Sequence, residues 1–116
     1  MTRRLLFLAL LLPGSLLAQP FSDSQKIDAL IRAVEELPNA KFVRNDAEHD
    51  ARNAGEHLRL KLRESRGRCK TAEDFIRVCA SASSVSGKPY RIRFADGSVQ
   101  TSEAFLRAKL KDLDRR

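Results

Sequence analysis

Aromatic side chains are scarce: the 116-residue sequence holds six phenylalanines, one tyrosine and no tryptophan. Only Tyr90 and Phe94 are placed to stack on bases, and no RNA- or DNA-binding motif accompanies them, so nucleic acid is disfavoured as a partner. There are two cysteines, Cys69 and Cys79, with no CxxC redox pair, and two thiols at that spacing are poor evidence for zinc. The longest uninterrupted apolar run is Leu5 to Leu12, eight residues, against about 20 for a membrane-spanning helix. Gly-x-Ser-x-Gly is absent, and Val85 stands three before Lys88 where a Ser-x-x-Lys nucleophile would need serine. Gly87-Lys88 is not a phosphate loop, because Ala82 replaces its first glycine and Pro89 its Ser or Thr. No internal repeat or heptad run appears, and the length suits one domain rather than two.

What is present reads as a leader followed by a globular chain. Arg3 and Arg4 form a positive n-region, Leu5 to Leu12 the apolar stretch, Pro13-Gly14 a break, and Ala18 a small residue at the cleavage point. Residues 1–18 are therefore expected to be a cleaved signal peptide and 19–116 a single exported domain. No cysteine follows the apolar run, so the exported chain is expected in the periplasm without a lipid anchor and without a membrane span after cleavage. Removing Arg3 and Arg4 leaves 20 basic against 15 acidic groups, a net charge of +5. With 42% hydrophobic and 32% charged residues, this chain is too apolar to be disordered.

The periodicity gives an element order. Ser22 and Gln25 form a capping box for a helix over 23–37, whose Ile27, Leu30, Ile31, Val34 and Leu37 fall on one stripe. Lys41 to Arg44 is a short β-rich run. Asn45 and Glu48 read as a second capping box, for a long helix over 46–65 with Ala47, Ala51, Ala54, Leu58 and Leu62 inward; Gly55 on it suggests close approach by another backbone. Thr71 and Asp74 start a third helix over 72–81. Tyr90 to Phe94 alternates as a strand, with Tyr90, Ile92 and Phe94 on one face and Arg91 and Arg93 on the other. Asp96-Gly97 is a hairpin turn, Ser98 to Gln100 the return strand, and Ser102 caps a last helix with Phe105, Leu106, Leu110 and Leu113 inward. The order α-β-α-α-β-β-α predicts an α+β domain of about four helices with a short antiparallel hairpin or sheet.

Phe42-Val43-Arg44-Asn45, Glu48-His49, His57-Leu58-Arg59-Leu60-Lys61-Leu62, Thr71 to Ile76, Ser83-Ser84, Ser86-Gly87-Lys88-Pro89-Tyr90 and Asp96-Gly97 occur in that order. Together they resemble the YfeK-like family of small exported bacterial proteins, a family of unknown function. The resemblance implies export and one small domain, and brings no catalytic residue with it. Asp46 stands where the resemblance would place glycine after the Arg-Asn pair.

Three constellations could carry chemistry. His49 and His57 lie eight residues apart, about 12 Å along a helix, too far to share one metal ion, so no metal or other cofactor is expected. His57 could act as a base toward a serine of the 81–86 loop, Ser84 or Ser86, which gives a small periplasmic hydrolase as the alternative reading. Cys79 would sit about two turns into its helix, roughly 10 Å from the start, whereas bridged Cα atoms lie within about 7 Å. A Cys69–Cys79 disulfide is thus open to an exported chain but disfavoured by spacing.

The basic run says most. Arg59, Lys61, Arg63, Arg66, Arg68 and Lys70 fall within twelve residues interrupted only by Glu64, with Glu48, Glu56 and Glu64 as partners along the helix face. The favoured reading is a non-enzymatic binding or accessory module whose surface comprises Arg44, Asn45, His57, Arg59, Lys61, Lys88 and Tyr90. Arg44, Arg59 and Lys88 would meet the anionic group of an acidic envelope protein or anionic polymer, and Tyr90 would supply apolar contact. The leader reading is checked by sequencing the N-terminus of the exported protein. The expected first residue is Gln19, to within a residue or two, and a full-length chain retained in the membrane would contradict it.

Overall fold

A computed structural model describes residues 20–115; the leader expected over residues 1–18 lies outside the described residues. Four helices and a four-stranded sheet follow one another as α1 (Asp23–Glu35), β1 (Lys41–Arg44), β2 (Ala47–His49), α2 (Ala51–Glu64), α3 (Ala72–Cys79), β3 (Arg91–Arg93), β4 (Val99–Thr101) and α4 (Ser102–Asp114). The domain is α+β, and the expected order holds with one further strand, β2, between β1 and the long helix. The sheet is antiparallel throughout, ordered β2-β1-β3-β4, with Phe42 opposite both His49 and Ile92.

Local chemistry explains the helix starts. Ser22 and Gln25 complete the capping box of α1, and Thr71 and Asp74 that of α3. Two expected caps move. The long helix is capped by Asp50, whose side chain accepts from Asn53 N at 2.8 Å, and not by Asn45 with Glu48. The last is capped by Thr101 rather than Ser102, which is instead its buried first residue. Asn45 and Asp46 are the two central residues of a β-hairpin, at φ 52° and 67°. A two-residue hairpin whose central residues both need positive φ favours Asn-Gly, which is why glycine would suit position 46. Asp96-Gly97 turns β3 into β4 as expected, with Gly97 at φ 90° and Asp96 Oδ1 accepting from Ser98 N and Oγ.

The sheet's alternation puts Phe42 and Ile92 against the helices and leaves Lys41 and Arg91 exposed on the other face. Leu30, Ile31, Phe75, Ile76, Ile92 and Leu106 are all 0% exposed and form the centre of the core. Helices α1 and α3 each pack on the other three helices, so the core is closed mainly by helix–helix contact, with the sheet as its second layer. Burial of a leucine-sized side chain is worth roughly 1.5–3 kcal/mol, and these residues supply most of what offsets chain entropy.

Gly55 is buried in α2, but what approaches it is a side chain, not a backbone. A Cβ there would lie 2.2 Å from Glu35 Cγ, and Glu35 is held in place by Arg59. In a Glu35→Ala background Gly55→Ala should realise its helix-propensity gain of about 1 kcal/mol. In the wild-type chain the same substitution must displace Glu35 from Arg59, and should be worth at least about 1 kcal/mol less. Urea unfolding of the four proteins measures the difference; equal effects in both backgrounds would remove Glu35 as the reason for the glycine.

Candidate functional site

The hairpin between β1 and β2 and the loop that follows α3 are tied to each other. Asn45 Nδ2 donates to Ser83 Oγ at 3.3 Å, and Ser86 Oγ donates to Asn45 Oδ1. Ser83, buried at 6% exposure, also accepts from Val85 N at 3.2 Å and Ser86 N at 3.3 Å, so one hydroxyl shapes the loop. Lys88 Nζ lies 2.8 Å from Asp46 Oδ2, and the ammonium holds that carboxyl below its ordinary range.

Next to this junction, α2 presents His57 and Lys61 one turn apart, and both reach Tyr90. Lys61 Nζ donates to the Tyr90 hydroxyl at 3.1 Å and to Ala82 O at 3.4 Å, and sits 5.3 Å from the ring centroid. His57 Nε2 lies 3.2 Å from the same hydroxyl. An ammonium has only donors, so the tyrosine oxygen accepts from Lys61 and its own proton is available to His57 Nε2. That pairing needs a neutral imidazole, and the surroundings supply the reason for one. Burial, then Arg44, Lys61 and His49, push the His57 pKa down to about 4.

Beside His57 lies a recess of about 40 Å³, lined by Phe42, Arg44, His49, Asn53, Leu58 and Tyr90 among others. Its walls are mostly apolar, with Arg44, Asn53, Ser102 and the two imidazoles among its polar members. Among the described residues neither Arg44 nor Lys61 has a carboxylate within 4.0 Å. The two cations thus face a neutral imidazole and a phenol with their charge uncompensated, a setting that attracts an anion.

Of the expected surface, the fold brings Arg44, Asn45, His57, Lys61, Lys88 and Tyr90 to one end of the sheet. Arg59 is directed elsewhere. It lies some 200° around α2 from His57 and is engaged by Glu35 and Asp28 at 3.2 Å each, contacts that raise its pKa. Tyr90 is 7% exposed, so it braces the site from within, and the exposed apolar residue of the loop is Val85. His57 hydrogen-bonds Tyr90 and Ser86 hydrogen-bonds Asn45, so the pairing of His57 with Ser86 needed for hydrolysis is not assembled; Ser84 is exposed on the same loop. Sequence reasoning passed over Ser83 as the organising serine, Asp46 as the partner of Lys88, and His49 as a wall of the recess. The one signal was the Asn-Asp pair between two short runs, readable as a hairpin turn. Cys69 and Cys79 also meet as free thiols: Cys79 ends α3, as expected, but the chain before α3 doubles back so that the sulfurs are 3.3 Å apart.

These features define a small α+β domain with a cationic recess at the sheet's end. The chain belongs to the DUF5329 family, a family of unknown function, whose model matches residues 21–114. It is similar to the uncharacterized protein YfeK of Salmonella typhimurium (strain LT2), 44% identical over 68 residues, which is 59% of this chain and 57% of that protein. The chain thus spans less than two thirds of that relative's length. No solved structure matches.

The His57 environment has a pH consequence. An unfolded imidazole titrates near 6.5 and the folded one near 4, so the unfolded chain takes up the proton first as the pH falls. The stability that His57 contributes is complete above pH 6.5 and is lost progressively toward pH 4. Unfolding midpoints measured across that window should fall with pH, with a shallower slope in His57→Gln; an identical slope would show that the imidazole is not held neutral.

Proposed function

We propose that the protein is a non-enzymatic binding module of the bacterial envelope, exported to the periplasm, which receives an anionic group of an envelope partner at the Arg44–Lys61 end of the sheet. The observation that carries this reading is the pair of cations without carboxylate partners, converging on a neutral His57 and the Tyr90 hydroxyl. Half-buried cations without a carboxylate partner bind a carboxylate or phosphate more strongly than fully exposed or ion-paired ones do. The recess beyond them admits a small apolar portion next to the charge, between Phe42 and Leu58. The tied Asn45–Ser83–Ser86 junction holds the rim in one shape, so little ordering entropy is lost when a ligand arrives.

The test compares Arg44→Gln/Lys61→Gln with Arg63→Gln/Arg66→Gln, two exposed cations on the same stretch of chain, so that both variants lose the same charge. Binding of an acidic peptide and of inorganic polyphosphate is followed by calorimetry at two salt concentrations. The Arg44/Lys61 variant should weaken binding at least tenfold, about 1.4 kcal/mol, and the Arg63/Arg66 variant by much less. Equal losses would mean that net charge alone attracts the anion and that the recess is not the site.

A further inference from the structure

We propose that Cys69 and Cys79 form an intramolecular disulfide, closed by thiol–disulfide exchange with a disulfide-bearing oxidant, which pins the α2–α3 connection to the last turn of α3. The two sulfurs are 3.3 Å apart, and Cys69 Sγ also lies 3.9 Å from Asp74 O, beside the body of the helix. Two features of the chain produce this approach. Arg66 and Gly67 take positive φ, 50° and 85°, and turn the chain after α2 so that Cys69 runs alongside α3. A helical side chain also tilts toward its helix's N-terminus, which carries the Cys79 sulfur back over the preceding turn. Bond formation then asks the sulfurs to close by roughly 1.3 Å to a bonded distance near 2.05 Å, a displacement on the scale of a side-chain rotation.

Accessibility orders the steps. Cys69 is half-buried and lines a surface groove with Ile27, Asp28, Leu62 and Lys70, whereas Cys79 is 1% exposed. Burial, together with the neighbouring thiol, pushes Cys79 up to about 12, so it stays protonated until the exchange has begun. The Cys69 thiolate attacks one sulfur of the oxidant's disulfide, that S–S bond breaks, and the other oxidant sulfur leaves as a thiol. Cys79 then gives its proton to solvent and attacks Cys69 Sγ, expelling the oxidant's second sulfur. Two protein thiols have lost two electrons and two protons, and one oxidant disulfide has become two thiols. Because Cys79 is a poor leaving group, the closed bond resists reopening, as a structural disulfide does. Among the described residues no third His, Cys, Asp or Glu gathers with the pair to make a metal site instead.

Inside the cell this step rests on the export reading, since an oxidising compartment must supply the oxidant. In solution it does not, and the two can fail separately. Purified reduced protein is equilibrated with oxidised glutathione, denatured, alkylated with iodoacetamide and weighed intact. The expected product is two hydrogens lighter than the reduced chain and takes no alkyl group. Its unfolding midpoint should stand roughly 10 °C above that of the same sample treated with dithiothreitol. Cys79→Ser should stop at a glutathione adduct on Cys69, whereas Cys69→Ser should leave the buried Cys79 without one, and the reverse pattern would overturn the order of attack. A persistent glutathione adduct on the wild-type chain, two alkylated cysteines, or an unfolding midpoint unchanged by closure would each overturn the proposal.

Discussion

Tyr90 is fastened to three parts of the fold at once. Its N–H donates to Ser81 O and its carbonyl accepts from Ser102 N, joining the loop after α3 to the start of α4, while its hydroxyl meets Lys61 and His57 on α2. A tyrosine oxygen buried without a partner would cost a few kcal/mol, so the hydroxyl selects a polar environment and the ring selects an apolar one. The placement of Lys61 and of His57 beside the recess follows from satisfying both ends of this one side chain.

Much of the fold was legible because it is dictated locally. The Ser22 and Thr71 caps, the Asp96-Gly97 turn and the alternation of Tyr90, Ile92 and Phe94 each depend on residues within four positions of one another. Strand β2 was not legible. Ala-Glu-His has little strand preference, and Asn45 with Glu48 imitates a capping box, yet pairing with β1 and the Asn45-Asp46 turn decide the matter. Of the candidate site, sequence order brought Arg44, His57, Lys61, Lys88 and Tyr90 to attention, but could not say which cations stay uncompensated. Arg59 is paired by residues 24 and 31 positions away, a relation only the packing of α1 on α2 creates. The approach of the two thiols was hidden for a related reason: it depends on a chain that doubles back beside α3, which spacing along a helix axis does not reveal.

Charge is distributed accordingly. Arg93 pairs with Glu48 across the sheet, Arg107 with Glu73 and Glu103, and Lys26 with Asp114. Exposed pairs of this kind add little stability, typically under about 1 kcal/mol each, but they flatten the surface potential where they occur. Many cations, Arg63, Arg66 and Arg68 among them, have no such partner, but Arg44 and Lys61 differ from these three in being half-buried beside His57 and Tyr90.

The two strands at the margins of the sheet, β2 and β4, are three residues long apiece. A strand that short exposes only one or two backbone donors and acceptors along its outer side, too few to template another chain. The sheet thus ends itself: crowding of many copies finds no ribbon to extend along either margin.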